Sequence, residues 1–158
     1  MSQLVNISRP IYYKYGNMLT PIISRVNSRS RCFSTYFTPT HEWVTVSDDH
    51  KTGTIGITKF AERSMGDIVF CELPSVGETL SKDEVLGILE SVKASSDIHT
   101  PVSGSILEIN TELEDNSSLI NTSTMDDGWL VKINIDDITQ VDGLLSEIDY
   151  KKVCDDIH

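Results

Sequence analysis

One lysine, Lys93, lies between two short apolar segments of the chain. Residues 85–89 have the composition of a short, mostly buried strand, and residues 98–102 indicate the next strand. The intervening ESVKASSD is rich in small and polar residues, which predicts a hairpin with Val92-Lys93-Ala94 at its exposed tip. A flexible primary amine flanked by small side chains is accessible to an enzyme that acylates ε-amines. An ordinary solvated lysine fits the same spacing, so the spacing alone leaves both interpretations open.

The residues around Lys93 belong to a longer pattern. ESVKA (90–94), followed by Asp97 and PVSG (101–104), closely resembles the lipoyl-attachment segment of the H proteins of the glycine cleavage system. The resemblance continues in the same order and spacing over roughly residues 38–156, through the segments HEWV (41–44), GIT (56–58), GD (66–67), ELP (72–74), Gly77 and GWLVKI (128–133). The whole set, rather than the lysine segment alone, carries the resemblance to this family.

The resemblance implies a non-catalytic carrier. Lipoate would be attached in amide linkage to Lys93, and its dithiolane would accept the methylamine group of glycine on a pyridoxal-phosphate glycine decarboxylase. A tetrahydrofolate-dependent aminomethyltransferase would unload the arm, and dihydrolipoamide dehydrogenase would reoxidise it. Lipoate-attaching enzymes complete the expected partners. In such a system the carrier contributes positioning, because tethering raises the local concentration of the cargo and fixes its approach.

Four further residues are implied as docking positions for the arm. A protonated amine that enters a cleft needs hydrogen-bond acceptors, preferably carboxylates. Carried over to matching positions, the family's docking residues are Thr40, Glu42, Asp97 and Thr100. Glu42 and Asp97 would be the charged partners of the amine, and the two threonines would supply hydroxyl acceptors. A plain surface role remains open for each of them.

The elements that must position these residues are mostly short strands. Residues 43–46 and 52–57 predict a hairpin, and residues 67–72, 105–110 and 128–135 also have strand character. Thr58 can cap a short helix through Met65, with Gly66 ending it. Residues 119–121 align with residues 79–81 in an approximate internal duplication. The helical spacing of residues 138–157 predicts a C-terminal helix capped by Ser146.

These elements predict a mainly β fold: a small barrel-sandwich hybrid of two hairpin-rich halves, of the lipoyl/biotinyl-carrier type, with short peripheral helices and a C-terminal helix. The two halves would bury one shared core and place Lys93 at one extremity. The domain is expected to cover residues 34–158.

Residues 1–33 predict a mitochondrial transit peptide. The chain contains no Asp or Glu before Glu42, while five of its basic residues and many serines lie in this segment. The sequence around Arg31-Cys32-Phe33-Ser34 resembles a matrix-protease site, with cleavage after Phe33. A secretory signal would need a longer unbroken apolar core. The expected location of the mature protein is therefore the mitochondrial matrix.

The charge balance after residue 33 restricts the partners. The eight Lys and Arg residues of this part stand against all 24 acidic residues, a formal charge of −16. Such a surface repels nucleic acid and anionic lipid and favours docking on basic patches of partner proteins. No segment approaches the roughly 20 apolar residues of a membrane span. No metal site is expected, because the cysteines and histidines lack ligand spacing, and Cys71 and Cys154 are interpreted as packing residues. A monomer is expected.

Several other interpretations remain open from the sequence. A lipoyl domain of a 2-oxo acid dehydrogenase acyltransferase resembles the lysine segment but generally continues into a long linker and a catalytic domain, which this sequence lacks. A role in relaying lipoate to other acceptors is also compatible with the family. A biotin carrier normally has methionines beside its lysine, whereas Val92 and Ala94 flank Lys93. An unmodified acidic interaction module is the alternative from a different class.

Overall fold

Nine short strands are the main regular elements of residues 34–156, the part of the chain that the computed structural model describes. The strands are β1 (Ser34–Phe37), β2 (Glu42–Val46), β3 (Thr52–Ile57), β4 (Ile68–Glu72), β5 (Thr79–Leu80), β6 (Val85–Ser91), β7 (Ser95–His99), β8 (Gly104–Ile109) and β9 (Val131–Ile135). The helices are α1 (Lys59–Met65), α2 (Glu112–Asp115), α3 (Leu119–Thr122) and α4 (Glu147–Asp156), with a 3₁₀ segment at Ile138–Gly143. The predicted leader and its cleavage site lie outside the described residues.

The strands form two antiparallel sheets around one main core. The larger sheet has the order β1-β2-β3-β9-β8-β5, and the smaller has the order β4-β6-β7. Apolar side chains from both sheets are fully or almost fully buried between them, among them Ile55, Ile57, Leu86, Leu89, Ile106 and Ile133. The predicted fold class, a mainly β hybrid of sandwich and barrel with a C-terminal helix, is confirmed.

Local signals define α1 as the sequence predicts. The Thr58 hydroxyl accepts a hydrogen bond from the Ala61 amide at 3.3 Å, which satisfies one of the free N–H groups of the first turn. Gly66 ends the helix with φ +83°, a left-handed value that glycine adopts without steric cost, and its amide donates to the carbonyl of Glu62. The helix therefore ends sharply, immediately before β4.

A smaller aromatic cluster connects β1 and β2 with α4. Phe37 of β1 stacks on Tyr150 of α4 with 4.7 Å between ring centroids, and Trp43 completes the cluster. The Trp43 indole donates to the carbonyl of Ile57 at 2.7 Å. A Cβ at Gly56 would lie 2.6 Å from the Trp43 ring, so the side-chain-free residue at this position lets the indole lie against β3.

Two expectations about the elements are corrected. Residues 119–121 belong to helix α3, whereas residues 79–80 form a strand, so this part of the internal duplication is wrong. The strand expected from Gly128 begins only at Val131, because Gly128 packs closely on α3, where a Cβ would lie 3.0 Å from the Ile120 Cα. The helical spacing of residues 138–157 covers a 3₁₀ segment at Ile138–Gly143 and, after Ser146, the predicted C-terminal helix.

The C-terminal helix begins where the sequence predicts. Ser146 caps α4 as expected, since its hydroxyl accepts from the Asp149 amide at 3.2 Å. Ile148 is 71% exposed, however, and Tyr150 is the residue that packs inward. Residues 144–146 are not helical and separate α4 from the 3₁₀ segment. The apolar spacing of residues 138–145 therefore does not continue onto the same face of α4. None of the helices in residues 34–156 is long and apolar enough to cross a membrane.

Candidate functional site

Lys93 lies at the tip of the β6–β7 hairpin, where the sequence places it. Glu90 pairs with Ser95 as the last strand pair, and the Ser91 amide donates to the carbonyl of Ala94 at 2.7 Å. The Ser91 hydroxyl accepts from the amides of Lys93 and Ala94 at 3.3 and 3.0 Å, which braces the turn from inside. The side chain of Lys93 is exposed and can be reached by another protein.

The tip is also attached to the body of the domain. The Val92 amide donates to the carbonyl of Asp67 at 3.2 Å, so the turn is held beside the start of β4. The Lys93 side chain lies across Gly66, where a Cβ would approach its Cε to 2.8 Å. Gly66 thus ends α1 and leaves room for the lysine side chain. The sequence marks Gly66 as the residue that ends the predicted helix, but it gives no indication that Gly66 contacts the Lys93 side chain.

A cavity of about 460 Å³ lies next to this position. Its walls come from the start of β2, the inner face of α1 and strand β7, and it is lined by Pro39, Thr40, His41, Glu42, Ile57, Ala61, Ser64, Met65, Ser96, Asp97, Ile98 and His99. Its volume is in the range of ligand pockets. Met65 lines the cavity and directly precedes Gly66, so the cavity and the resting place of the Lys93 side chain are adjoining. Asp97 is on β7, four residues beyond Lys93 and therefore at most about 14 Å from it along the chain.

Three of the four predicted docking residues meet at this cavity. Thr40, Glu42 and Asp97 all line it, although Asp97 is far from the other two in the sequence. Asp97 lines the cavity and is also exposed to solvent. Glu42 is only 2% exposed, so the plain surface role that the sequence left open does not apply to it.

Thr100 does not join the other three. Its side chain is fully buried, and its hydroxyl donates to the carbonyl of Val102 at 2.6 Å. The hairpin register explains this position, since Val85 pairs with His99 and the Thr100 amide donates to the carbonyl of Glu84 at 2.9 Å. Thr100 is therefore at the base of the hairpin, away from the lysine tip, and its hydroxyl stabilises the chain reversal after β7.

Glu42 is a buried carboxylate surrounded by neutral donors. One oxygen accepts from the hydroxyl of Thr40 at 2.6 Å and from the hydroxyl of Thr38. The other oxygen accepts from the His99 amide at 3.3 Å. Within residues 34–156 no Lys, Arg or His nitrogen forms an ion pair with Glu42. A carboxylate in this state can bind an incoming cation without first giving up a salt bridge.

Thr38 and His41 were not among the predicted docking residues. Thr38 is buried, and its hydroxyl also accepts from the Glu42 amide at 2.9 Å. Thr38 therefore bonds to both the backbone and the carboxylate of Glu42. The resemblance to the family begins at residue 38. The sequence pattern alone, however, does not show that Thr38 is buried or that its hydroxyl donates a hydrogen bond to the Glu42 carboxylate. His41 lines the cavity, and its Nδ1 lies 2.8 Å from the Tyr150 hydroxyl. This contact and the packing of its ring on Phe60 give His41 a structural role.

Partial burial controls the charge of His41. Burial lowers the pKa of the imidazole below its ordinary value of 6.5, because the charged ring loses hydration, and the nearby Glu42 carboxylate opposes this effect. The cavity therefore presents a mostly neutral imidazole at neutral pH. The buried wall of the cavity is therefore negatively charged, because the Glu42 carboxylate lies there beside a neutral imidazole.

This shift predicts that the free energy of unfolding falls as the pH drops below about 6.5. The unfolded state binds more protons than the folded state between the lowered pKa and 6.5, so the contribution of His41 is complete above 6.5 and is lost below it. We expect His41→Asn to reduce this pH dependence in urea unfolding measured from roughly pH 5 to 7. Asparagine tolerates the φ of +78° at this position.

His50→Asn is the matched control, because His50 is exposed and also has a positive φ, of +57°. The control should keep the dependence of the original protein. An equal pH dependence in the His41 variant and the original protein would contradict the assignment to His41.

The remaining titratable groups provide no second reactive centre. Burial raises the pKa of the Cys71 thiol to about 12, so this cysteine remains a thiol and packs against the core. Burial also raises the pKa of the Tyr150 phenol, which bonds to Thr58 at 2.7 Å. No group of three or more metal-binding side chains occurs among the residues that the structure describes.

Two packed sheets with a braced lysine at a hairpin tip define the architecture of a carrier domain. Comparison with known proteins makes the assignment specific. The family model described as "Glycine cleavage H-protein" matches residues 35–157. The chain is 45% identical over 116 residues to the glycine cleavage system H protein of Carboxydothermus hydrogenoformans, covering 73% of this chain and 88% of that protein.

A mitochondrial relative and a solved structure agree with this match. The mitochondrial glycine cleavage system H protein of Saccharomyces cerevisiae is 44% identical over 119 residues, covering 73% of this chain and 69% of that protein. The crystal structure of a glycine cleavage system H protein from Mycobacterium marinum superposes with a TM-score of 0.69 at 35% identity, covering 75% of this chain and 94% of that one. The chain belongs to the glycine cleavage H-protein family.

Proposed function

We propose that the chain is a lipoyl carrier of the glycine cleavage system and that Lys93 bears the lipoate. The observation that carries the proposal is the position of Lys93, on an exposed and braced hairpin tip, beside a cavity with the buried carboxylate of Glu42. When bound, the lipoyl group supplies a disulfide that accepts the methylamine group of glycine. The chain supplies an amine that an attaching enzyme can reach and a cavity in which the cargo can rest.

The cavity walls fit a protonated amine. Such an amine loses hydration when it leaves water, and it is stabilised only if acceptors replace that hydration. Glu42 offers a carboxylate without a competing cation, Asp97 offers a second acid at the rim, and Thr40 can turn its hydroxyl oxygen towards the amine. We infer that these three residues hold the loaded arm between its visits to the partner enzymes.

The partners follow from membership of the system. They are a pyridoxal-phosphate glycine decarboxylase, a tetrahydrofolate-dependent aminomethyltransferase, dihydrolipoamide dehydrogenase and a lipoate-attaching enzyme. The strongly acidic composition after residue 33 supports encounters with basic surfaces of these proteins. We infer that the chain acts as a monomer, the default for a small acidic shuttle, and as a non-catalytic component, because the lipoyl group would carry the reactive atoms.

We propose that residues 1–33 direct the protein to the mitochondrial matrix and are removed there. Their basic, acid-free composition supports this, as does the mitochondrial relative in yeast. Deleting residues 2–33 is expected to block import into isolated mitochondria, where the full chain is imported and shortened. Sequencing the N-terminus of the imported product checks the cleavage site, and a terminus upstream of Arg25 would contradict the prediction.

The intact mass of the protein isolated from mitochondria tests the central proposal. We expect a lipoyl adduct that maps to Lys93 after proteolysis, and carrier activity when the protein is combined with the other components of the system. A biotinyl adduct would indicate a biotin carrier, and an unmodified mass would favour an acidic interaction module. Lipoyl protein that supports only a 2-oxo acid dehydrogenase would place the carrier in another system.

A further inference from the structure

Large apolar side chains are exposed beside Lys93. Val69 and Phe70, consecutive residues of β4, are 57% and 49% exposed, and Val92 at the hairpin tip is 78% exposed. These three residues are called the edge patch. In a soluble protein, neighbouring exposed apolar side chains around a functional residue often belong to a binding surface.

A β-bulge produces the edge patch. Consecutive residues of a regular strand point to opposite faces, so one of Val69 and Phe70 would normally turn towards the core. The register of β4 against β6 shifts between Ile68 and Phe70, which leaves Val69 without a partner and both side chains exposed. Strand β4 is also at the edge of its sheet, where large exposed apolar residues favour unwanted pairing and are normally avoided.

The edge patch is close to the amine. Phe70 pairs with Glu90 and Ile68 pairs with Ser91, the residues that lead directly into the turn. Neighbouring strands are about 4.8 Å apart, so the patch is one strand away from the backbone that carries Lys93. The hydrogen bond from the Val92 amide to the carbonyl of Asp67 holds the tip against the same edge. A protein that encloses the Lys93 amine must therefore cover this edge.

A small acidic groove continues the edge patch. It has a volume of about 210 Å³ and lies between β4 and α2, lined by Val69, Phe70, Cys71, Leu113, Glu114, Asp115 and Ser117. Further exposed acids surround the patch, at Asp67, Glu72 and Glu90. Within residues 34–156, none of these five acids forms a salt bridge. The surface therefore fits a partner that presents an apolar side chain between Lys and Arg residues.

We propose that the edge patch is the docking surface for the enzyme that acylates Lys93. The inference rests on the proposed function and names the surface that this partner uses. The acylating enzyme must bring its reactive centre to Nζ itself, next to the hairpin, whereas enzymes that act at the far end of a long arm can remain away from it. In the reaction, Nζ attacks the carbonyl carbon of an acyl adenylate formed from lipoate and ATP. The amide bond forms, the acyl–oxygen bond to AMP breaks, AMP leaves and a proton passes from the amine to water.

The test compares two double variants that have similar exposed surfaces. Val69→Thr/Phe70→Thr removes apolar surface from the edge patch while keeping residues that favour strands. Val85→Thr/Leu107→Thr is the matched control, because Val85 and Leu107 are 45% and 49% exposed, Val85 is at the base of the hairpin and Leu107 is on β8. Transfer to Lys93 by a purified lipoate-attaching enzyme with lipoate and ATP is measured by intact mass at several concentrations of the full protein.

We expect the KM for the edge-patch variant to rise by about ten-fold or more, with kcat unchanged, since the lost contact is a binding contact. The control should resemble the original protein. Glu114→Gln/Asp115→Asn is expected to make kcat/KM less dependent on salt. Circular dichroism and thermal unfolding of every variant separate this effect from misfolding.

Different failures have different meanings. Normal transfer with an unchanged KM in the edge-patch variant would overturn the docking surface alone, as would an equal loss in the control. A lower kcat at unchanged KM would also overturn it, because the patch would then act on the chemical step. If the original protein received no lipoate on Lys93, the proposed function would fail and this inference with it.

Discussion

Replacing Lys93 with arginine is expected to abolish lipoylation and, with it, all carrier activity. Arginine keeps the positive charge and the length of the side chain, but its delocalised guanidinium has no amine that an attaching enzyme can acylate. The fold should be unaffected, because Lys93 is exposed and its Nζ forms no hydrogen bond or ion pair with residues 34–156. We expect the free energy of unfolding to change by less than about 0.5 kcal/mol.

The measurement is the intact mass after incubation with the attaching enzyme, followed by reconstitution with the other components. Lys152→Arg is the matched control, since the Lys152 side chain is 69% exposed on α4 and is remote in sequence from the hairpin. The control should be lipoylated and active. Lipoate on any other lysine of the Lys93 variant, or residual carrier activity, would contradict the assignment.

Replacing Glu42 with glutamine is expected to shorten the lifetime of the loaded state without affecting lipoylation. The carboxylate is buried and has only neutral donors, so a docked ammonium group would be its first ionic partner. A charge-assisted hydrogen bond contributes about 1.5–3 kcal/mol, which corresponds to a roughly ten- to hundred-fold change in lifetime. Glutamine can be accommodated, because the hydroxyls of Thr38 and Thr40 can rotate to accept from its amide group.

The lifetime is measured as the release of ammonia or formaldehyde from the loaded protein. Asp97→Asn is expected to have a smaller effect in the same direction, since Asp97 is exposed and water screens its charge. Asp48→Asn, in the exposed turn between β2 and β3, is the control that changes the charge equally outside the cavity. Unchanged lifetimes in the Glu42→Gln/Asp97→Asn double variant would mean that the cavity protects the cargo by burial alone.

The bulge at Val69 determines which side chains β4 exposes beside the lysine turn. A regular β4 strand would bury one of two consecutive apolar residues. It would therefore expose less apolar surface at the edge of the sheet. The observed strand instead exposes both, one residue beyond the pair Ile68–Ser91 that leads into the lysine turn. The edge patch and the cavity both lie at the lysine end of the hairpin. In the two proposals they bind different partners: the edge patch binds the surface of the acylating enzyme, and the cavity binds the end of the lipoyl arm.

The local elements of this fold could be predicted from the sequence because their signals lie within a few residues. Thr58 and Gly66 mark the two ends of α1, since capping and a left-handed residue depend on immediate neighbours. Residues 52–57 form a strand with the predicted bounds. Small polar residues predicted the turn at Lys93, and a turn of this kind closes on itself with bonds from Ser91. The resemblance of the motifs further predicted the architecture and the family.

Only the tertiary structure decided how these elements meet. Glu42 is buried, and Asp97 joins it at one cavity, because strand pairing and sheet packing bring together segments that are more than fifty residues apart. Thr100 leaves the cavity because the hairpin register places it at the base, and residues 119–121 become helical because α3 packs beside α1 and Gly128. Register and packing are collective properties of distant residues. A short stretch of sequence therefore predicts a turn or a cap, but not which side chains share a cavity.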